Sequence, residues 1–158
     1  MITRLNHAVL YVRDARAQQR FYGDVLDFTT VIEDPDGQFV FMRAPGSDNH
    51  HDIAFFTIGA TASPSTAGRS SVGMYHLAWE VATIEDLVAV RDRLTAAGAL
   101  KGASDHGANK SLYAFDPDGL EIEVMFLVPP AAWGDDEHEA IIRPLDLRNE
   151  LDRFGSTR

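Results

Sequence analysis

Leu5-Asn6-His7-Ala8-Val9-Leu10-Tyr11-Val12 and Met74-Tyr75-His76-Leu77-Ala78-Trp79-Glu80-Val81 are the two stretches on which the fold turns. Each alternates as a half-buried strand does, and each carries a histidine near its start. Asn6-His7-Ala8-Val9-Leu10 lines up with Tyr75-His76-Leu77-Ala78-Trp79, a match weak in identity and clear in pattern. The segments downstream of the two stretches repeat as well, and a repeat of this kind means two modules built on one plan.

After the first stretch, Asp14 caps a predicted helix from about Ala15 to Leu26, with Phe21, Tyr22, Val25 and Leu26 on its buried side. Three strands are expected next: Phe28 to Ile32, Gln38 to Arg43 after a turn at Asp34-Pro35-Asp36-Gly37, and Asp52 to Ile58. The order is β-α-β-β-β. Residues 59–73, rich in Ser, Thr, Gly, Ala and Pro, read as a linker. The order then restarts. Thr83 caps a helix with the stripe Ile84, Leu87, Val88, Arg91 (by its stem) and Leu94, ending at Gly98. A short strand comes next, near Leu100 to Ser104. Another covers Lys110 to Phe115, then comes a turn at Asp116-Pro117-Asp118-Gly119, and a last strand runs from Leu120 to Leu127. The fold class is therefore α+β. A paired βαβββ domain spans residues 1–128, as module one at 1–58, the linker, and module two at 74–128. Residues 129–158 form a C-terminal extension. Pro129-Pro130 ends the last strand, and a helix near 144–154, opened by Pro144, carries the stripe Leu147, Leu151 and Phe154.

Alternation assigns faces. His7, Val9 and Tyr11 share one, as do His76, Ala78 and Glu80, and Glu121, Glu123 and Met125. The opposite faces are apolar and suit packing under a helix. If the polar faces line one cavity, two imidazoles and a carboxylate converge there.

The bulk numbers restrict the chemistry. A formal net charge of −10 argues against nucleic acid and against an anionic membrane surface as partners. With no cysteine, any transition metal must be held by imidazole and carboxylate. Neither a leader peptide nor a membrane-spanning run is expected, and the expected location is cytoplasmic.

Two longer runs carry a family resemblance. They are Leu5-Asn6-His7 through Phe21-Tyr22-Gly23-Asp24-Val25-Leu26-Asp27-Phe28, and Leu112-Tyr113-Ala114-Phe115-Asp116-Pro117-Asp118-Gly119-Leu120-Glu121-Ile122-Glu123. Over about residues 2–128 the chain resembles the vicinal oxygen chelate superfamily of glyoxalases, bleomycin-resistance proteins and extradiol dioxygenases. In pattern it is nearest to a one-domain extradiol dioxygenase. The resemblance implies a curved, half-barrel mixed sheet around a metal site whose ligands are His7, His76 and Glu123. Two histidines and one carboxylate leave positions open for a bidentate diol and O2, which suits Fe(II), and the superfamily's sites also take Mn(II), Ni(II) or Zn(II). His51, in His51-Asp52-Ile53-Ala54-Phe55, matches the family's acid-base histidine. Tyr113, ten residues before Glu123, matches its active-site tyrosine, and His106 a substrate-side histidine. The implied activity is cleavage of a catecholic ring in the catabolism of aromatic compounds, with an aromatic diol and O2 as substrates. The implied assembly is a homodimer or higher homo-oligomer, in which some relatives build the metal site from two chains.

The same resemblance leaves three other readings open. A glyoxalase-like isomerase or lyase needs a further carboxylate in the fourth strand, where this chain has Ala54 with Asp52 at the strand start. A fosfomycin-type transferase needs a cationic cluster for a phosphonate, for which Lys110 and Arg43 are the candidates. A small-molecule binding protein keeps the fold without turnover.

Overall fold

The computed structural model describes residues 1–68 and 70–156. Arg69, in the linker stretch, lies outside the described residues. The chain divides into two compact units: residues 1–65 with the turn 116–119, and residues 66–115 with 120–156.

The first unit holds β1 (Ala8–Val12), α1 (Ala15–Leu26), β2 (Thr29–Glu33), β3 (Phe39–Arg43) and β4 (Ile53–Thr57). Its sheet is mixed, in the order β1-β4-β3-β2, with β1 parallel to β4 and the other pairs antiparallel. β1 is shorter than the expected Leu5 to Val12. β4 begins at Ile53, so pairing starts at Ala8, and His7 stands just ahead of the ladder. Asp14 does cap α1, its carboxylate accepting from the Arg16 N–H. α1 lies over β3 and β4 and buries Ala15, Gln18, Tyr22, Val25 and Leu26 against Val40, Met42, Ile53 and Phe55. The Tyr22 ring stands 5.0 Å from Phe55 and 5.2 Å from Phe28. Phe21, expected on this side, lies at its margin and is only half-buried.

The second unit holds β5 (His76–Val81), α2 (Ile84–Ala96), β6 (Leu100–Asp105), β7 (Asn109–Phe115) and β8 (Glu121–Leu127). Its sheet repeats the plan as β5-β8-β7-β6, with β5 parallel to β8. Leu112, Ala114, Ile122, Val124 and Phe126 form the buried face beneath α2. α2 presents Ile84, Leu87, Val90 and Leu94 to that face. Val90 therefore replaces the expected Val88 and Arg91, which flank the buried stripe.

The extension belongs to the second unit. After two short 3-10 turns (Pro130–Ala132 and Gly134–His138), Arg143 pairs with Asp105 through two backbone bonds of 2.9 Å. α3 (Leu147–Phe154) is capped by Asp146, so it begins past Pro144, the expected opening. It packs on α2, with Phe154 6.0 Å from Phe126.

Candidate active site

Period-two alternation decides which side chains of the second unit meet. Register sets Ala78 opposite Glu123 and Glu123 opposite Tyr113, across three neighbouring strands. His76 pairs with Glu121 one step along. All four polar side chains leave the face opposite α2. His76 Nε2 is 3.0 Å from Glu123 Oε2, and its Nδ1 is 3.5 Å from Glu121 Oε1. The last two atoms are buried and neither makes a hydrogen bond. Glu123 is 7% exposed, and among the described residues neither glutamate meets a lysine or arginine. Two carboxylates flank one imidazole, partly orphaned, and donors of these types suit a divalent cation.

Tyr113 adds a donor. Its hydroxyl, with one proton to give, lies 2.9 Å from His106 Nε2 and, further off, 3.3 Å from Glu123 Oε1. Burial first, then the negative charge of Glu123, pushes the phenol up to about 12, so Tyr113 stays protonated across the physiological range. His106 sits in a tight turn after β6, in which its own N–H donates to Asn109 O and Gly107 has φ +76°. Its Nδ1 lies 2.6 Å from the carbonyl oxygen of Ile141. In the second unit Ile141, His106 and Tyr113 thus form one hydrogen-bonded chain that ends beside Glu123, which lies 3.0 Å from His76 Nε2.

In the first unit, His7 Nδ1 lies 2.8 Å from Asn6 Oδ1. An amide oxygen only accepts, so Nδ1 carries the proton and the Nε2 lone pair is left free, the arrangement that prepares a histidine for a metal. Asn49 ties this segment to the 44–52 loop by donating to the carbonyls of Asn6 (2.9 Å) and His51 (2.8 Å). The His51 ring lies 4.5 Å from His7 and 4.9 Å from Phe41, and its Nδ1 is 2.9 Å from His50 Nδ1. Burial first, then its two histidine neighbours, lowers the His51 pKa below the ordinary 6.5 against an opposing pull from Asp52. The neutral, proton-accepting form is favoured.

His7 and His51 belong to the first unit; His76, His106, Tyr113 and Glu123 belong to the second. Among the described residues no three His, Asp or Glu side chains are gathered into one metal group. Two partners of the site went unread in the sequence. Glu121 shares a face with Glu123, and that alternation was the available signal. The Ile141 carbonyl had none, because a backbone acceptor leaves no mark on residue type.

Two further candidates take structural places. Asp52 accepts from the Ala44 N–H and the Ser47 hydroxyl, both at 2.9 Å, and so fastens the loop before β4. Lys110 falls on the α2 side of β7, away from Tyr113. It is 2% exposed and paired with Asp105 and, at 3.6 Å, with Glu150. It is not available to a phosphonate.

The chain belongs to the Glyoxalase/Bleomycin resistance protein/Dioxygenase superfamily, whose profile matches residues 4–124. Within that class it is 31% identical over 122 residues to biphenyl-2,3-diol 1,2-dioxygenase 3 of Rhodococcus globerulus, covering 77% of this chain and 62% of that one. It therefore spans under two thirds of that curated relative's length. A glyoxylase/bleomycin resistance protein/dioxygenase domain from Frankia sp. EAN1pec shares the fold, with a TM-score of 0.68 at 22% identity, over 82% of this chain and 96% of that one. So does a mutant of a genomically encoded fosfomycin resistance protein from Listeria monocytogenes, solved with Mn(II) and 1S,2S-dihydroxypropylphosphonic acid. Its TM-score is 0.61 at 18% identity, over 81% of this chain and 95% of that one. No helix among the described residues is long and apolar enough to cross a membrane.

Proposed function

We propose that the chain is an Fe(II)-dependent extradiol-type dioxygenase that cleaves a catecholic ring with O2. The observation that carries the reading is the buried Glu123, flanked by an imidazole at 3.0 Å and a protonated phenol at 3.3 Å. The sequence similarity to a biphenyl-2,3-diol dioxygenase supports it. The reading assigns the ion to His76 and Glu123, with His7 as the third ligand. Bound Fe(II) supplies the electronic coupling between a diol and O2 that this ring cleavage requires.

The residues then divide the work. His51, held neutral beside His7, takes a proton from the diol and later returns one. Tyr113, protonated and aimed by β7, donates to a substrate oxygen as charge develops there. His106 holds the Tyr113 hydroxyl in place. Removing one such donor costs about 10²–10³ in kcat.

The isomerase reading lacks its fourth-strand base, since Asp52 is engaged by the 44–47 backbone and Ser47, and Ala54 carries no acid. The phosphonate reading loses Lys110, which is buried in ion pairs, and is left with the exposed Arg43 alone of its two candidate cations, short of a cluster.

Anaerobic loading with Fe(II), followed by air and a panel of catechols that includes biphenyl-2,3-diol, tests the proposal. A yellow ring-cleavage product with matching O2 uptake is expected. Full iron occupancy with no turnover of any catechol overturns it, and failure to take up any divalent metal points to the binding-protein reading.

A further inference from the structure

The C-terminal extension reaches the site through the Ile141 carbonyl and is fastened on both sides of it. Asp105, just before His106, exchanges two 2.9 Å backbone bonds with Arg143. Gly107, just after it, is pressed by the extension's Asp136, whose side chain would lie 2.6 Å from any Cβ placed there. Between these contacts the Ile141 carbonyl oxygen stands 2.6 Å from His106 Nδ1. Further along, the buried Lys110 joins Asp105 to Glu150 of α3, and Arg153 holds Glu150 at 3.0 Å.

We propose that the extension is a positioning element that fixes the tautomer of His106. A carbonyl oxygen only accepts, so His106 Nδ1 must carry the proton. In the neutral ring Nε2 is then an unprotonated acceptor, and it takes the Tyr113 hydroxyl proton at 2.9 Å in preference to Glu123 Oε1 at 3.3 Å. A free histidine chooses between its two nitrogens; here the Ile141 carbonyl makes the choice and dedicates Nε2 to Tyr113. Ile141 acts only through His106, by its backbone, so its side chain is immaterial and its neighbour Ile142 is exposed. The assignment concerns the resting protein and does not depend on the ring-cleavage reading.

The test is side-chain ¹⁵N NMR on the full chain, labelled in histidine and free of added metal, with the His106 signals identified by their loss in His106→Gln. In the unaltered protein His106 is expected to show a protonated Nδ1 and an unprotonated Nε2. Arg143→Pro deletes the N–H that bonds Asp105 O and so loosens the Ile141 segment. It is expected to remove the Nδ1–H signature from His106 while the first-unit histidines keep their shifts. An amide-to-ester replacement at Ile142, which weakens the Ile141 carbonyl as an acceptor, is expected to speed exchange of the Nδ1–H with water about tenfold. The ester reports even where Arg143→Pro does not fold. A protonated Nε2 with bare Nδ1 in the unaltered protein, or an unchanged His106 in the ester protein, overturns the proposal. Because no substrate or metal enters these measurements, they fail separately from the dioxygenase assay.

Discussion

Asp34-Pro35-Asp36-Gly37 and Asp116-Pro117-Asp118-Gly119 are the same four residues, and locally they fold alike. In each, the glycine N–H bonds the first aspartate's carbonyl at 2.9 Å. Each glycine takes positive φ, +78° and +80°. Their surroundings differ. Asp36 is exposed, whereas Asp118 accepts from the Arg13 guanidinium at 2.7 Å, the Arg13 N–H at 3.1 Å and Gln18 at 3.1 Å. The opening histidines differ in the same way. His7 stands beside an imidazole and an amide, while His76 stands between two carboxylates. A repeat conserves backbone plan; chemistry comes from what each copy is given to touch.

The largest expected effect lies in the second copy. Glu123→Gln removes the buried charge beside His76, and under the proposed function retention of Fe(II) falls by more than about 100-fold, beyond what losing a supporting residue costs. Metal analysis after desalting measures it. The first copy's counterpart is His51→Gln, which keeps the metal and lowers kcat by about 10²–10⁴. Its pH signature has a sign. The folded value of His51 lies below 6.5, so the ring stays neutral to lower pH than a free imidazole. The acid limb of kcat/KM that it sets falls below pH 6.5 and disappears in the variant. Equal metal loss from both variants would erase the distinction between the two copies.

The turns give smaller effects, read by thermal or urea unfolding. Asp118→Ala leaves the Arg13 and Gln18 donors without their acceptor and costs about 1–2 kcal/mol, discounted because Arg13 is one-third exposed. Asp36→Ala costs under about 0.5 kcal/mol, as a surface change does.

That contrast marks the limit of what the residues disclosed. Both modules were legible because strand alternation and the helix caps are local; Asp14 and Thr83 start their helices where the sequence places them. The start of β1 moved inward because pairing needs a partner, and β4 offers none to Leu5 or Asn6. Val90 replaced Val88 and Arg91 because a stripe that wide admits several rotations over the sheet, and only the packed partner selects one. Glu121 was within reach through its spacing from Glu123. Neither the grip of Arg13 on Asp118 nor that of Ile141 on His106 could be read, because each joins segments with no shared pattern, one of them through a bare carbonyl.

The glycines of the two turns should reverse the order of the aspartates. Gly119→Ala meets only the strain of a positive φ, since nothing lies within 4 Å of the added methyl, and costs about 1–2 kcal/mol. Gly37→Ala meets the same strain and also places its methyl 3.0 Å from Arg16 Nε. The Arg16 guanidinium, which donates to Pro35 O, must then give way, and the cost rises by about a further 0.5–1 kcal/mol, the worth of one hydrogen bond. The first turn is therefore the more sensitive at glycine and the second at aspartate. If one turn proved more sensitive at both positions, local rigidity rather than specific partners would account for the difference.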